Sequence, residues 1–141
     1  MWAAGHKGRT TTKLSSRLRS MEYESVRTVE LAAIPGVSVV ISRMSLGRRL
    51  SLMEQVREIA KKIEFFEAGA RSTDKLEATI LSSEVDLILL RWGLKRIDGL
   101  TIDGHPATAE ALIASGPEEA CREIVAAIRD ECGLTEEERK N

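Results

Sequence analysis

One segment, from Asp74 to Leu94, is apolar around more of its circumference than any other part of the chain. At helical spacing its apolar side chains fall into two adjoining stripes. The first stripe contains Leu76, Ile80, Leu87, Leu90 and Leu94, and the second contains Leu81, Val85, Ile88 and Trp92. Two adjoining stripes predict a wide buried face, so we expect this helix to lie at the centre of the fold. Its charged residues make it too polar to span a membrane.

Composition places the chain among ordinary globular proteins. Its 141 residues, of which 43% are hydrophobic, fit one domain with a core of ordinary size. A net charge of -1 with 30% charged residues gives no global reason to expect a nucleic acid or an anionic membrane as partner. Aromatic residues make up only 4% of the chain, which argues against base-stacking platforms and aromatic-rich ligand pockets.

The two ends differ in composition from the region between them. Residues 1–20 carry five Lys and Arg side chains and no acids. We interpret them as a disordered basic tail, or as a translated leader upstream of the natural start, in preference to an arm that binds nucleic-acid phosphates. Residues 21–134 are predicted to form a single globular domain. Residues 135–141 have no apolar face and are predicted to fray, although Thr135 and Glu138 match a capping box.

The compartment is predicted from the N-terminal residues and the two cysteines. No apolar run near the start is long enough for a signal peptide, which indicates the cytoplasm of the host cell. Cys121 and Cys132 fall in one predicted helix, about 16 Å apart at a rise of roughly 1.5 Å per residue. They are therefore too far apart for a disulfide bond, and we expect two buried thiols in a reducing compartment.

Residues 26–44 show a period of two instead of the helical period. Val37, Val39 and Ile41 alternate with Ser38 and Ser42, and an earlier run of the same period ends before Pro35 and Gly36. This pattern predicts two strands around a turn. Because Pro-Gly suits a type II turn, which splays a two-residue hairpin, the pairing is loose or the connection is longer than two residues. An exposed edge of these strands is where we expect any homo-oligomer to form.

An amphipathic helix is predicted from Leu46 to Phe66, with Ser45 as its N-cap and Gly69 as its stop. Its apolar residues recur every three or four positions, at Leu46, Leu50, Met53, Val56, Ile59, Ile63 and Phe66. The opposite face carries charges of both signs and is predicted to be solvated. A short loop, in which Ser72 or Thr73 can cap the next helix, then favours an antiparallel pair with the central helix.

Beyond the central helix, residues 94–104 predict a strand-turn-strand segment with two Asp-Gly turns, which is placed to join the N-terminal strands. Thr108 is predicted to cap a short helix over residues 109–115. A last helix begins near Pro117, stops at Gly133, and buries Cys121, Ile124, Val125, Ile128 and Cys132. The predicted fold class is therefore α+β and mainly helical. An N-terminal β-hairpin packs on four helices, and a short extended segment follows the central helix.

Residues with chemical potential are few, and we expect no enzyme. His6 and His105 lack the spaced partners that a metal site needs. Asp98 and Asp103 each precede a glycine, so turn geometry explains them better than acid-base catalysis does. No glycine-rich phosphate loop is present. We therefore assign no catalytic, cofactor-binding or metal-binding residues.

Six side chains are candidate contacts for a protein partner. Trp92 is a large indole at the end of the central helix. We expect it to pack in the core or at the domain edge in preference to anchoring an interface. Strand residues belong to the predicted oligomer edge, and two adjacent arginines lie on the outer face of the first predicted helix. The candidates are Trp92, Leu94, Arg48, Arg49, Val39 and Ile41.

Several short segments together resemble a known family. They are SLGRR (45–49), EFFEAG (64–69), RWGL (91–94), GLTIDG (99–104), PAT (106–108), GPE (116–118) and GLTEEERKN (133–141). In this succession residues 38–141 resemble tail assembly chaperones encoded among the tail genes of phages and prophages. Residues 1–20 match nothing in that pattern.

The resemblance implies a non-enzymatic protein that binds the long helical tape measure protein, keeps it soluble and helps the tail tube polymerise around it. It also implies a longer form made by ribosomal frameshifting, so that Asn141 lies at a junction. Two alternatives remain open at this point. One is a structural tail component of the terminator or connector type, and the other is a small DNA-binding regulator that places Arg48 and Arg49 on phosphates.

Overall fold

The computed structural model describes residues 20–133. The predicted basic tail, the capping box at Thr135 and the frayed C-terminus lie largely or wholly outside these residues. In chain order the elements are β1 (Val26–Glu30), β2 (Ser38–Ser42), α1 (Leu46–Glu67), α2 (Ser72–Gly93), β3 (Leu94–Asp98), β4 (Thr101–Ile102), β5 (His105–Pro106), α3 (Ala109–Ser115) and α4 (Glu118–Cys132). The predicted α+β class is confirmed, with two N-terminal strands followed by a mainly helical region.

The first two strands pair antiparallel, with Val29 opposite Val39. Their connection is longer than two residues, as predicted, and is closed by a backbone hydrogen bond of 2.9 Å from Leu31 N to Val37 O. Within it, Val37 N donates to Ile34 O at 3.1 Å, and Gly36 has φ 86°. A positive φ at the third turn position identifies a type II turn, which the Pro-Gly pair predicted.

The extended segment after the central helix divides between two sheets. β3 begins directly at the end of α2 and pairs antiparallel with β2, which makes the order β1-β2-β3. β4 and β5 form a separate hairpin and do not join the N-terminal strands. Asp103 and Gly104, with φ 51° and 82°, connect β4 to β5. Two consecutive positive φ values are typical of a type I′ turn, which matches the right-handed twist of paired strands.

Local capping follows the sequence at Ser45, Thr108 and Gly133. Ser45 accepts from Arg48 N and Thr108 Oγ1 accepts from Ala111 N, both at 3.1 Å, while Gly133 ends α4 with φ 70°. The prediction for α2 is wrong, because Ser72 already lies in its first turn. Asp74 instead accepts the Arg71 backbone N–H at 3.3 Å, since a carboxylate at this position can reach back over the helix start.

The core lies where β2 and the C-terminal half of α2 meet α4. Its buried side chains form one cluster with contributions from Leu31, Val39, Ile41, Leu52, Leu89, Leu90, Leu94, Leu112, Ile124 and Ile128. Gly93 permits α2 to approach α4 closely, because a Cβ placed there would lie 2.7 Å from Ile128 Cδ1. α2 therefore occupies the central position that its composition predicted, but only over its C-terminal half.

The N-terminal half of α2 and most of α1 are less covered than predicted. Leu76 and Ile80 are 59% and 45% exposed, and Leu46, Leu50 and Met53 on α1 are also exposed. α1 packs mainly on α2, whereas the sheet and α4 pack on the far end of α2. Both predicted stripes are present, but the N-terminal half of the first one, at Leu76 and Ile80, has no second layer to cover it. Within residues 20–133, no helix combines the length and apolar content needed to cross a membrane.

Candidate partner-binding surface

The outer halves of α1 and α2 form a two-helix arm, which we define as residues 56–81. Its inner seam is made by half-buried residues of α1, among them Val56, Ile59 and Ile63, facing the buried Ala78 and Leu81 of α2. The alternating steps of three and four residues are typical of antiparallel helices that pack side by side. Each helix therefore buries one apolar face in the seam. The outer faces of both helices remain in contact with solvent.

A stripe of apolar side chains lies on the outer face of α2. Leu76 and Ile80 are each two residues from Ala78, which places them about 200° around the helix from the seam. Leu87 lies seven residues, or about two turns, beyond Ile80, so it points the same way, and it is half-buried. We call Leu76, Ile80 and Leu87 the α2 stripe. It is about 16 Å long, from 11 residues at a rise of about 1.5 Å each.

The α2 stripe ends in a cleft between α2, α3 and α4. The cleft has a volume of about 200 Å³. Its apolar lining comes from Leu87, Leu90, Leu112, Ile113 and Val125. Small-molecule pockets are usually larger, at about 300–1,000 Å³, so the cleft suits inserted side chains better than a free ligand.

The charged groups at this cleft are acidic. Asp86 and Glu118 line it, and each is held by an arginine of α4, Asp86 by Arg129 at 2.7 Å and Glu118 by Arg122 at 2.8 Å. Glu84 lies one turn from both Ile80 and Leu87, and no side chain among residues 20–133 forms an ion pair with it. The margin of the stripe therefore carries a net negative character.

Cys121 also lines the cleft and is half-buried. Burial raises the pKa of its thiol, and the charge of Glu118 raises it further. Its Sγ lies 3.7 Å from Leu112 O. The neutral thiol is a poor nucleophile, so Cys121 contributes apolar lining and should react more slowly than a free cysteine.

A second, more open groove lies on the other side of the arm, between α1 and α2. Its volume is about 510 Å³, and it is lined by Glu58, Lys61, Lys62, Phe65, Phe66, Glu77 and Leu81. The two phenylalanine rings pack edge to face, with centroids 5.3 Å apart. Because this groove mixes both signs of charge and is wide open, it lacks the single charge character of the α2 cleft.

The structure places three of the predicted partner contacts in the core. Val39 and Ile41 are 0% exposed and Leu94 is 6% exposed. They lie beneath α2 and α4, where they stabilise packing and offer no surface to another chain. Trp92 is half-buried and packs against the same core, in keeping with the preferred interpretation of this residue.

The two predicted arginines make hydrogen bonds within the chain. Arg48 Nη1 donates to Ser25 O and Arg43 O, both at 2.8 Å, which ties the segment before β1 to the start of α1. Arg49 Nη1 donates to Cys132 O at 3.0 Å, at the C-terminal end of α4. Guanidinium groups engaged in this way hold elements together and are less free to bind phosphates.

Five residues of the predicted apolar faces are exposed, namely Leu76 and Ile80 on α2 and Leu46, Leu50 and Met53 on α1. Their spacing is that of a buried face, because periodicity records amphipathicity and not whether a second layer is present. Acidic residues at positions 77 and 84, next to the stripe, are the one sequence signal that it lies near solvent.

Metal ligands and known relatives give no further assignment. Among residues 20–133, no three or more His, Cys, Asp and Glu side chains converge as a metal site would require. His105 is exposed on β5, and His6 lies outside these residues. No family model, curated protein or solved structure matches the chain.

Proposed function

We propose that this protein is a non-enzymatic phage tail assembly chaperone that binds the tape measure protein in the host cytoplasm during tail morphogenesis. The resemblance of residues 38–141 to that family supports the proposal. The resemblance implies that the tape measure protein is a long helical chain. A protein that binds it needs a surface on which a helix can pack.

The observation that carries the proposal is the exposed apolar surface of the two-helix arm. Leu76 and Ile80 are about half exposed on consecutive turns of one helix. Contiguous exposed apolar residues near a polar margin are typical of sites where another chain packs. Helices are commonly bound in this way, with apolar residues at every third or fourth position set into a groove.

The charged residues of this region also favour binding over catalysis. Asp86 and Glu118 are held in ion pairs with α4 arginines, and the pKa of Cys121 is raised by burial. A catalytic site needs titrating groups whose pKa values are set for proton transfer and which converge on one point. Since Asp86, Glu118 and Cys121 are paired or neutral, this region is better suited to holding a helix than to proton transfer.

Co-expression tests the proposal. The full chain, carrying an affinity tag, is produced together with the tape measure protein of the same tail gene cluster. We expect the two to co-purify and the tape measure protein to stay soluble only when the chaperone is present. Mass spectrometry of finished particles should detect the tape measure protein and not this chain. A chain found in finished particles at fixed stoichiometry would contradict the chaperone proposal.

A structural tail component is the second candidate, favoured by the edge of β1. No strand among residues 20–133 pairs with the outer edge of this strand. In the antiparallel β1–β2 pair, the residues between Val26, Thr28 and Glu30 form the hydrogen bonds to β2. The backbone N–H and C=O groups of Val26, Thr28 and Glu30 therefore point outward. Such an edge can pair with another copy in a ring.

The DNA-binding alternative is less well supported because Arg48 and Arg49 are engaged within the chain, and a shallow dependence of DNA affinity on salt would count against it further.

A further inference from the structure

We propose that the α2 stripe and the cleft at its end bind one amphipathic helix whose apolar face is flanked by Lys and Arg. This inference rests on the proposed function, in that it takes the exposed apolar surface to receive another protein chain. It specifies which face of the arm receives that chain and what chemistry the bound helix carries.

The shape of the surface argues for a helix. Leu76, Ile80 and Leu87 follow one line on α2 for about 16 Å, or about three helical turns. A partner helix laid along this line meets the cleft of about 200 Å³ next to Leu87. The cleft is apolar and of a size for one or two side chains, so it provides an anchor position at one end of the stripe.

The charges beside the stripe argue for a basic partner. Glu84 lies beside both Ile80 and Leu87 and forms no ion pair within residues 20–133, whereas Asp86 and Glu118, which line the cleft, are already paired with Arg129 and Arg122. Glu77 also flanks the stripe, although it shares a groove with Lys61 and Lys62. Two cations of α2 lie near the stripe, Lys75 next to Leu76 and Arg91 about one turn beyond Leu87, and Glu110 already holds Arg91 at 2.8 Å. A Lys or Arg on the partner would complete the charge balance here, whereas an acidic partner would be repelled.

The same charges argue against a second copy of this chain as the occupant. If two α2 helices packed antiparallel along the stripe, Leu76 of one copy would lie opposite Leu87 of the other. In that register Glu77 of each copy would face Glu84 of the other, so the two-fold symmetry would produce this contact twice. Like charges in facing positions are destabilising, so the stripe is poorly complementary to itself.

Binding of designed peptides to the full chain tests the proposal. One labelled peptide of about 18 residues carries leucines at the spacing of the stripe with lysine flanks, and its matched control carries glutamate flanks. We expect fluorescence anisotropy to show at least about tenfold tighter binding of the lysine peptide. The double variant Leu76→Ser/Ile80→Ser should lose about tenfold in affinity, and Glu84→Lys should reduce the preference for lysine flanks.

Leu46→Ser is the matched control, because Leu46 is 78% exposed on the other helix. It should leave peptide affinity unchanged. Equal affinity for the two peptides, or an equal loss in Leu46→Ser, would overturn the proposal. So would a concentration-dependent dimer that only the double variant abolishes, since a second copy would then be the occupant. A rise of about tenfold in affinity after removal of residues 1–19 would assign the site to the chain's own basic segment instead.

The two proposals fail differently. If the lysine peptide binds as expected but the tape measure protein does not co-purify, the binding face stands and the chaperone role is wrong. If the tape measure protein co-purifies equally well with Leu76→Ser/Ile80→Ser, the chaperone role stands and this face is not where the tape measure protein binds.

Discussion

The carboxylate of Glu123 on α4 accepts the backbone N–H of Ala32 at 2.7 Å, across 91 positions of sequence. Its other oxygen accepts the next N–H, that of Ala33, at 2.9 Å. One side chain thus satisfies two consecutive donors of the β1–β2 connection, which otherwise pair with no strand. Together with the ion pair of 2.9 Å from Arg27 to Glu131, this contact fixes the first strand to the last helix.

Glu123→Gln should destabilise the fold. The amide keeps one acceptor oxygen but sets an NH₂ group against the second backbone donor, so we expect a loss of about 1–2 kcal/mol. Urea denaturation measures it, with an unchanged m-value. Glu119→Gln, on an exposed position of the same helix, is the control and should cost no more than about 0.5 kcal/mol. Equal effects of the two substitutions would show that the Ala32 and Ala33 contacts do not matter.

Two glycines should respond to alanine in opposite directions. At Gly93 a new Cβ meets the buried side chain of Ile128 at 2.7 Å, so Gly93→Ala should destabilise by about 1–3 kcal/mol. At Gly47 nothing lies within 4 Å, and Gly47→Ala should stabilise α1 by up to about 1 kcal/mol. Thermal unfolding of the two variants gives the comparison. The packing argument fails if Gly93→Ala is as stable as the wild type.

Two isoleucines that both fit a helical stripe should differ in their contribution to stability. Ile124 is 0% exposed and Ile80 is 45% exposed. Ile124→Ala should cost about 2–5 kcal/mol because it leaves a cavity. Ile80→Ala should change the free energy of unfolding by less than about 1 kcal/mol, since little contact is lost. A large loss at Ile80 would mean that this face is covered in solution.

The Arg91–Glu110 ion pair should contribute only above acidic pH. The hydrogen bond from Arg91 lowers the pKa of Glu110 below its ordinary value in the folded state. The resulting stabilisation is complete above the unfolded pKa of about 4.3, and is lost as the pH falls through the lower folded pKa. Both side chains are exposed, so the effect should be small and should shrink in salt.

The variant Glu110→Gln isolates this effect. Its melting temperature should fall slightly below that of the wild type at pH 7, and the difference should vanish on acidification below about pH 3. A difference that grows on acidification would reverse the expected sign.

The two thiols should react slowly and in order. Cys132 is buried and Cys121 is half-buried, and burial raises the pKa of both thiols. Because the thiolate is the reacting form, both should be alkylated more slowly than a free thiol at about pH 8, with Cys121 ahead of Cys132. Mass spectrometry after timed iodoacetamide treatment follows each site. In denaturant the two rates should become equal, and a fast reaction of Cys132 in the native protein would contradict its placement.

The sequence determined the local structure, because each local signal acts within a few residues. Ser45 and Thr108 each cap a helix, and Gly133 ends one. The alternation through Val39 and Ile41 correctly predicted a strand, but not its burial, since Val40 and Ser42 are buried as well and both faces of β2 are covered. α2 was correctly identified as the central helix because its apolar residues occupy more than one face.

Only the tertiary structure decided which apolar faces are covered. Leu76 and Leu90 belong to one predicted stripe, yet α4 and α3 cover the second and leave the first in solvent. The bonds of Glu123 to Ala32 and of Arg49 to Cys132 join residues over 80 positions apart, and no local pattern encodes them. A helical period records how apolar residues are distributed around one helix. Whether another element packs on them depends on the path of the whole chain, and that path creates both the core and the exposed face of α2.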